Sequence, residues 1–185
     1  MSTKQLEKFS TEVKIPENVT GSIKSNMLNV EGPLGKTYKI FKKIPVDIQV
    51  NENKVVLKAQ GTRNSNYAIM NTARSIIRNI LEGVVEGYTI KMKIVFSHFP
   101  INVKVEGKKV LVETFQGERA PRITKIWGET KVLPKGDDVI ITGHVLTDVS
   151  QTAAEIENKT RVKNKDHRVF LDGIYKFEKK KGIEK

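Results

Sequence analysis

Val19–Thr37 reads VTGSIKSNMLNVEGPLGKT, and Ile101–Arg119 reads INVKVEGKKVLVETFQGER. Each segment alternates apolar and polar residues, passes through a turn, alternates again and arrives at a glycine. Gly35 and Gly117 stand 82 residues apart, and Val30 and Val112 share that offset. Farther along, KVVLK at Lys54–Lys58 is echoed by DVIIT at Asp138–Thr142. A stretch with helical spacing comes after each echo. The order strands, hairpin, strands, helix therefore occurs twice, which is the mark of a duplicated unit. The expected fold is α+β, with two tandem repeated domains, each an antiparallel sheet with one helix packed on it.

The spacing of Ile69, Ala73, Ile76, Ile77, Ile80 and Val84 predicts the first helix, with Gly83 as its left-handed closing residue. Asp148 is the expected N-cap of the second, paired with Gln151 three residues on. Val149, Ala153, Ile156 and Thr160 form its apolar stripe. Alternation predicts strands at Val13–Ile15, Ile101–Val105, Val110–Thr114, Arg122–Ile126 and Val139–Thr142. Another is expected at Tyr88–Val95, with Lys91 and Lys93 facing away from Ile90, Met92 and Ile94. The domains divide at residues 1–84 and 85–185, the second carrying a basic tail. Turn residues place the linker at Glu82–Gly87.

Among 185 residues, 33 Lys and Arg outnumber 21 Asp and Glu, for a net charge of +12. A field of that sign favours nucleic acid or an anionic surface as partner. The excess lies at the ends. Residues 1–81 hold 13 basic and 6 acidic residues, residues 82–159 hold 11 of each, and residues 160–185 hold 9 and 4. The chain has no cysteine, which removes disulfide and thiolate chemistry. No run approaches the roughly 20 apolar residues of a membrane helix, and the first residues lack the apolar core of a signal peptide. A cytoplasmic location and no membrane contact are expected.

Few motifs suggest chemistry. Gly35-Lys36-Thr37 resembles the end of a phosphate loop, but Val30 occupies the position of the required first glycine and a strand pattern comes next. Gly32-Pro33-Leu34-Gly35 fits a tight hairpin better than a nucleic-acid-clamping loop between helices. His98, His144 and His167 are scattered, and Asp137-Asp138 sits in a turn. No nucleophile neighbourhood is present. No catalytic residue, metal or cofactor is expected.

The segment Thr160–Lys181, TRVKNKDHRVFLDGIYKFEKKK, mixes cations with rings. Arg161, Lys163, Lys165, Arg168 and Lys176 stand among Phe170, Tyr175 and Phe177, a combination suited to phosphates flanked by bases. Phe170 and Leu171 are expected in the core, Trp127 as a packing residue, Asp172-Gly173 as a turn and Lys179–Lys181 as a solvated run. Arg119 and Arg122, beside the second hairpin, form a weaker patch.

The string VKNKDHRVFLDGIY (Val162–Tyr175), the junction His98-Phe99-Pro100 and the hairpins VEGPLG and FQGER resemble universal ribosomal protein six of the large subunit. The likeness is to its archaeal and eukaryotic form and spans about Val13 to Phe177. It implies tandem α+β domains and a monomeric, non-catalytic structural protein of the large subunit. It also implies contact with large-subunit rRNA near the sarcin–ricin loop, the factor-binding region and the stalk base, with neighbouring ribosomal proteins there. On this sequence the implied contacts are Lys163, Lys165, Arg168, Asp172, Gly173, Ile174 and Tyr175. His167 departs from the family's apolar residue or proline, and Asn64-Ser65-Asn66 is less basic than in relatives. The competing reading is a free-standing RNA-binding regulator, absent from ribosomes.

Overall fold

A computed structural model of the chain describes residues 9–51, 53–166 and 168–184. His167 lies outside the described residues. The first unit contains β1 (Ser10–Lys14), β2 (Thr20–Lys24), β3 (Met27–Gly32), β4 (Gly35–Ile40), β5 (Val46–Asn51), β6 (Lys54–Ala59) and α1 (Asn64–Val85). The second contains β7 (Tyr88–Val95), β8 (Asn102–Glu106), β9 (Lys109–Glu113), β10 (Arg122–Lys125), β11 (Lys131–Lys135), β12 (Asp138–Gly143), α2 (Leu146–Lys159) and β13 (Gly173–Lys181). The two compact units run Met1–Val85 and Glu86–Lys185.

The duplication is visible in the topology. In each unit the strands form two antiparallel sheets. The first has β2-β3-β4 and β1-β6-β5; the second has β8-β9-β10 and β7-β12-β11, in the same order. The second unit alone gains a strand, as β13 pairs antiparallel along the free side of β7. Between β3 and β4, Pro33 and Leu34 make a two-residue hairpin closed by the Gly32–Gly35 pair. No phosphate loop forms there.

Each unit has its own apolar core. In the first, Leu28, Val30, Val55 and Leu57 pack against α1 through Met70, Ala73, Ile77, Leu81 and Val84. The buried stripe of α1 is thus rotated from the expected one, since Ile69, Ile76 and Ile80 only flank it. Gly83 is buried inside the helix. The residue that ends it is Gly87, at φ 77°, and Glu86-Gly87 is all that separates α1 from β7. The helix persists through the expected linker because Val84 extends its apolar face.

In the second unit Ile90, Met92, Val110, Val112, Phe115, Val139 and Ile141 meet Val149, Ala153 and Ile156 of α2. Lys91 and Lys93 point away from that core, as the alternation of β7 requires. α2 begins at Leu146, two residues before Asp148, and its N-cap, Val145, makes no side-chain cap bond. Asp148 is a first-turn carboxylate, well placed for the helix dipole. β11 carries Pro134, tolerated because β11 is an edge strand. Among the described residues no helix is long and apolar enough to cross a membrane.

Candidate nucleic-acid interface

Thirteen residues, 160–172, connect α2 to β13, and their backbone is fixed at both ends. Thr160 closes the helix: its N–H donates to the Ile156 carbonyl at 3.0 Å and its hydroxyl to the same carbonyl at 2.9 Å. That hydroxyl also accepts the Ile174 N–H at 3.2 Å. The first residue after α2 is therefore tied to the second residue of β13, and the connection leaves the fold as a closed loop. Val162 plugs into the core, and Phe170 packs against its margin.

The far end is clamped by Asp172, which is only 2% exposed. Its Oδ1 accepts the Ser97 N–H at 2.6 Å, and its Oδ2 lies 3.2 Å from Nδ1 of His98. The His98 ring stacks on Phe170 at 5.0 Å, with 23° between planes. Lys165 covers the Phe170 ring, its Nζ 5.3 Å from the centroid. In the middle, Asp166 folds the chain locally: its carbonyl accepts from Val169 and Phe170, and its carboxylate from the Arg168 N–H at 2.9 Å. Asn164 takes the left-handed conformation, φ 58°, which asparagine tolerates better than most residues.

With the backbone so held, Arg161, Lys163, Lys165 and Arg168 are all exposed. No carboxylate pairs with any of these four side chains among the described residues. The lysines of β7 differ. The hydrogen bond that Lys91 donates to Glu184, aided by the charge of Glu178, raises the lysine's pKa, and Lys93 is raised likewise by donating to Asp138. Hydrogen bonding to Lys180 lowers the pKa of Glu178. The face of β7 is internally neutralised; the connection is not.

Several expected site residues have other work. Asp172 is a buried anchor, its carboxylate occupied by the Ser97 N–H and the His98 ring. Gly173 is no turn but opens β13, and a Cβ there would stand 2.9 Å from the Tyr175 ring. Arg122 is committed inside the protein. Its Nε and Nη2 donate to Glu118 at 2.8 and 2.6 Å, and its Nη1 to the Lys159 carbonyl at 2.6 Å. Its guanidinium lies 4.1 Å from the Phe115 ring centre. These hydrogen bonds hold the Glu118 carboxyl below its ordinary pKa. Arg119, in contrast, is exposed.

Tyr175 is half-exposed over Gly173, and Lys176 is exposed on β13 just before a register shift at Phe177. Leu171 is 54% exposed and lies outside the core. Lys179–Lys181 is not a loose run, since these residues pair with Ile90, Thr89 and Tyr88. Trp127 is fastened to α2: its N–H meets Thr152 Oγ1 at 3.1 Å and its Nε1 donates to Glu155 at 2.7 Å. Among the described residues no three His, Cys, Asp or Glu side chains gather as metal ligands.

The family model described as Ribosomal protein L6 matches residues 99–173. The chain is 41% identical to large ribosomal subunit protein uL6 of Methanosarcina mazei over 94% of its own length and 99% of the relative's. It is 44% identical to the uL6 of Methanobrevibacter smithii, covering 91% and 94% of the two chains, and 43% identical to that of Aeropyrum pernix, covering 90% and 92%. The chain belongs to the uL6 family of large ribosomal subunit proteins. The uL6 match runs from Phe99, beside the His98 clamp, to Gly173 at the start of β13. It encloses Arg119, Arg122 and the whole cationic connection, and leaves Tyr175 and Lys176 just outside.

Proposed function

We propose that this chain is a structural, non-catalytic constituent of the cytoplasmic large ribosomal subunit. Its second unit docks on large-subunit rRNA near the sarcin–ricin loop, the factor-binding region and the stalk base, as a monomer among the ribosomal proteins there. The observation that carries the reading is the closed connection after α2. Arg161, Lys163, Lys165 and Arg168 are exposed on a backbone held by Thr160, Val162 and Asp172. Ordering a flexible cationic segment on binding costs entropy, and here much of that ordering precedes contact. Arg119, Tyr175 and Lys176 extend the surface; Arg122, Asp172 and Gly173 hold it in place. Contacts of this kind go to phosphates and position the protein without reading base sequence.

Replacing Lys163, Lys165 and Arg168 together with alanine removes three exposed charges, and Lys165 gives up its ring contact with Phe170. The folded variant is expected to be depleted from large subunits in salt-washed gradients. Its affinity for rRNA should fall, with a log–log salt slope shallower by about 2–3. A folded variant that sediments fully with large subunits would remove the connection as the principal contact. Wild-type protein absent from washed large subunits yet bound to isolated RNA would favour the free-standing regulator.

A further inference from the structure

The outer face of the β2-β3-β4 ladder, in the first unit, takes no part in the docking proposed for the second. Its register places Thr20, Glu31 and Lys36 in one cross-strand row and Ser22, Asn29 and Tyr38 in the next. Between the rows lies a trough of about 350 Å³. Its floor is the backbone of Gly21, Val30 and Thr37; Gly21 has no side chain, and the row of Val30 and Thr37 alternates to the opposite face. Tyr38 is 65% exposed at its rim. At the opposite side Lys36 pairs with Glu31 at 2.8 Å.

Same-face residues two apart along a strand are separated by about 6.8 Å. That is room for one flat ring standing between the rows, in van der Waals contact with each. Such a ring would find Tyr38 to stack on and neutral donors and acceptors in Ser22, Asn29 and Thr20. Lys24, on the adjoining row with Met27 and Ile40, brings positive charge to one side. The unit itself is basic, with 13 cationic residues against 6 acidic over residues 1–81. The corresponding row in the second repeat is Lys104, Leu111 and Ile123, which offers neither a ring nor an amide. The copies have diverged at this row while keeping the strands beneath it.

We infer that the trough binds one unpaired nucleobase of an RNA strand, stacked on Tyr38 with its edge toward Asn29 and Ser22. An extended peptide would instead add to the edge of β4 through its backbone and leave the trough empty. The site is separate from the connection after α2, and the two are separable by experiment.

A benzophenone amino acid placed at position 38 of the full chain, irradiated in assembled large subunits, should give an adduct that ribonuclease degrades. A ribonuclease-resistant adduct to another protein, or no adduct, would overturn the inference. In solution, the intact protein binding a fluorescein-labelled single-stranded oligoadenylate should lose about fivefold or more in affinity on Tyr38→Ala. Tyr38→Phe should stay within about twofold, because the ring is kept. The salt slope should not change for Tyr38→Ala, whereas the Lys163, Lys165 and Arg168 variant should flatten it. Equal affinity for wild type and a folded Tyr38→Ala protein would remove the site, whatever the tail variant does.

Discussion

The helices of the two repeats end against equivalent hairpins, and the hairpins satisfy them differently. In the first repeat the backbone comes in directly: the Leu34 N–H donates to the Val84 carbonyl of α1 at 3.0 Å. That approach requires Gly32, where a Cβ would lie 2.8 Å from the Val84 side chain and 2.9 Å from its carbonyl oxygen. In the second repeat a side chain does the reaching, as Arg122 donates to the Lys159 carbonyl of α2 at 2.6 Å. The chain paths beyond the two helices differ accordingly. After α1 the chain turns through two residues into β7; after α2 it runs through thirteen and returns as β13. A helix end capped at arm's length leaves the next residues free to form a new surface, and only the second copy has one.

Breaking the far anchor of that surface is expected to have the largest effect. Asp172→Ala removes the buried acceptor of the part-buried Ser97 N–H and the partner of the half-exposed His98 ring, destabilising the second unit by about 2–3 kcal/mol. Urea unfolding tracked by the fluorescence of Trp127 reads it; an unmoved midpoint would mean that Asp172 does not anchor the connection. Gly32→Ala tests the other side of the contrast. Pushing a methyl group into the Val84 backbone should destabilise the first unit by about 2 kcal/mol, seen as a lower helical melting temperature. If alanine is accommodated without loss, the hairpin approach is not tight and the contrast weakens.

The arginine cap is the smallest of the three, because Glu118 is half-exposed and solvent screens the pair. Arg122→Ala should lower stability by about 1 kcal/mol near neutral pH. Its pH dependence comes from Glu118, whose folded pKa is depressed from 4.5 by the Arg122 hydrogen bonds. That contribution is fully present above the unfolded carboxylate pKa and is lost as pH falls through the lower folded one. The gap between wild type and Arg122→Ala in unfolding midpoint should therefore narrow on acidification below the ordinary carboxylate range. A gap that stays constant there would assign the cap to stacking on Phe115 rather than to the ion pair.

The duplicated frame was legible because strand alternation and the 82-residue offset survive in the sequence, and β7 could be read residue for residue. Three strands were not read. Val46, Ile48 and Val50 alternate cleanly in β5, but no helix or motif drew attention to them. Pro134 masked β11, since proline is excluded from all but edge strands. In β13 the lysine run looked like a solvated tail, although lysines are how edge strands are commonly protected from pairing. The exposed cations of the connection were legible as charge. The distinction between contact and support was not. Nothing in the order of residues says that Asp172 turns inward to Ser97 or that Arg122 spans to Lys159, because both depend on partners at least 37 positions away. Tyr38 went unread because a lone tyrosine in a strand looks like packing until the face it occupies is seen to be bare.

A density map of the assembled large subunit would decide most directly whether the closed loop after α2 is the docking edge. The expected result is RNA phosphate oxygens within hydrogen-bonding reach of Arg161, Lys163, Lys165 and Arg168, with Asp172 and Arg122 turned away from the RNA. A map in which those four side chains face open solvent would contradict it.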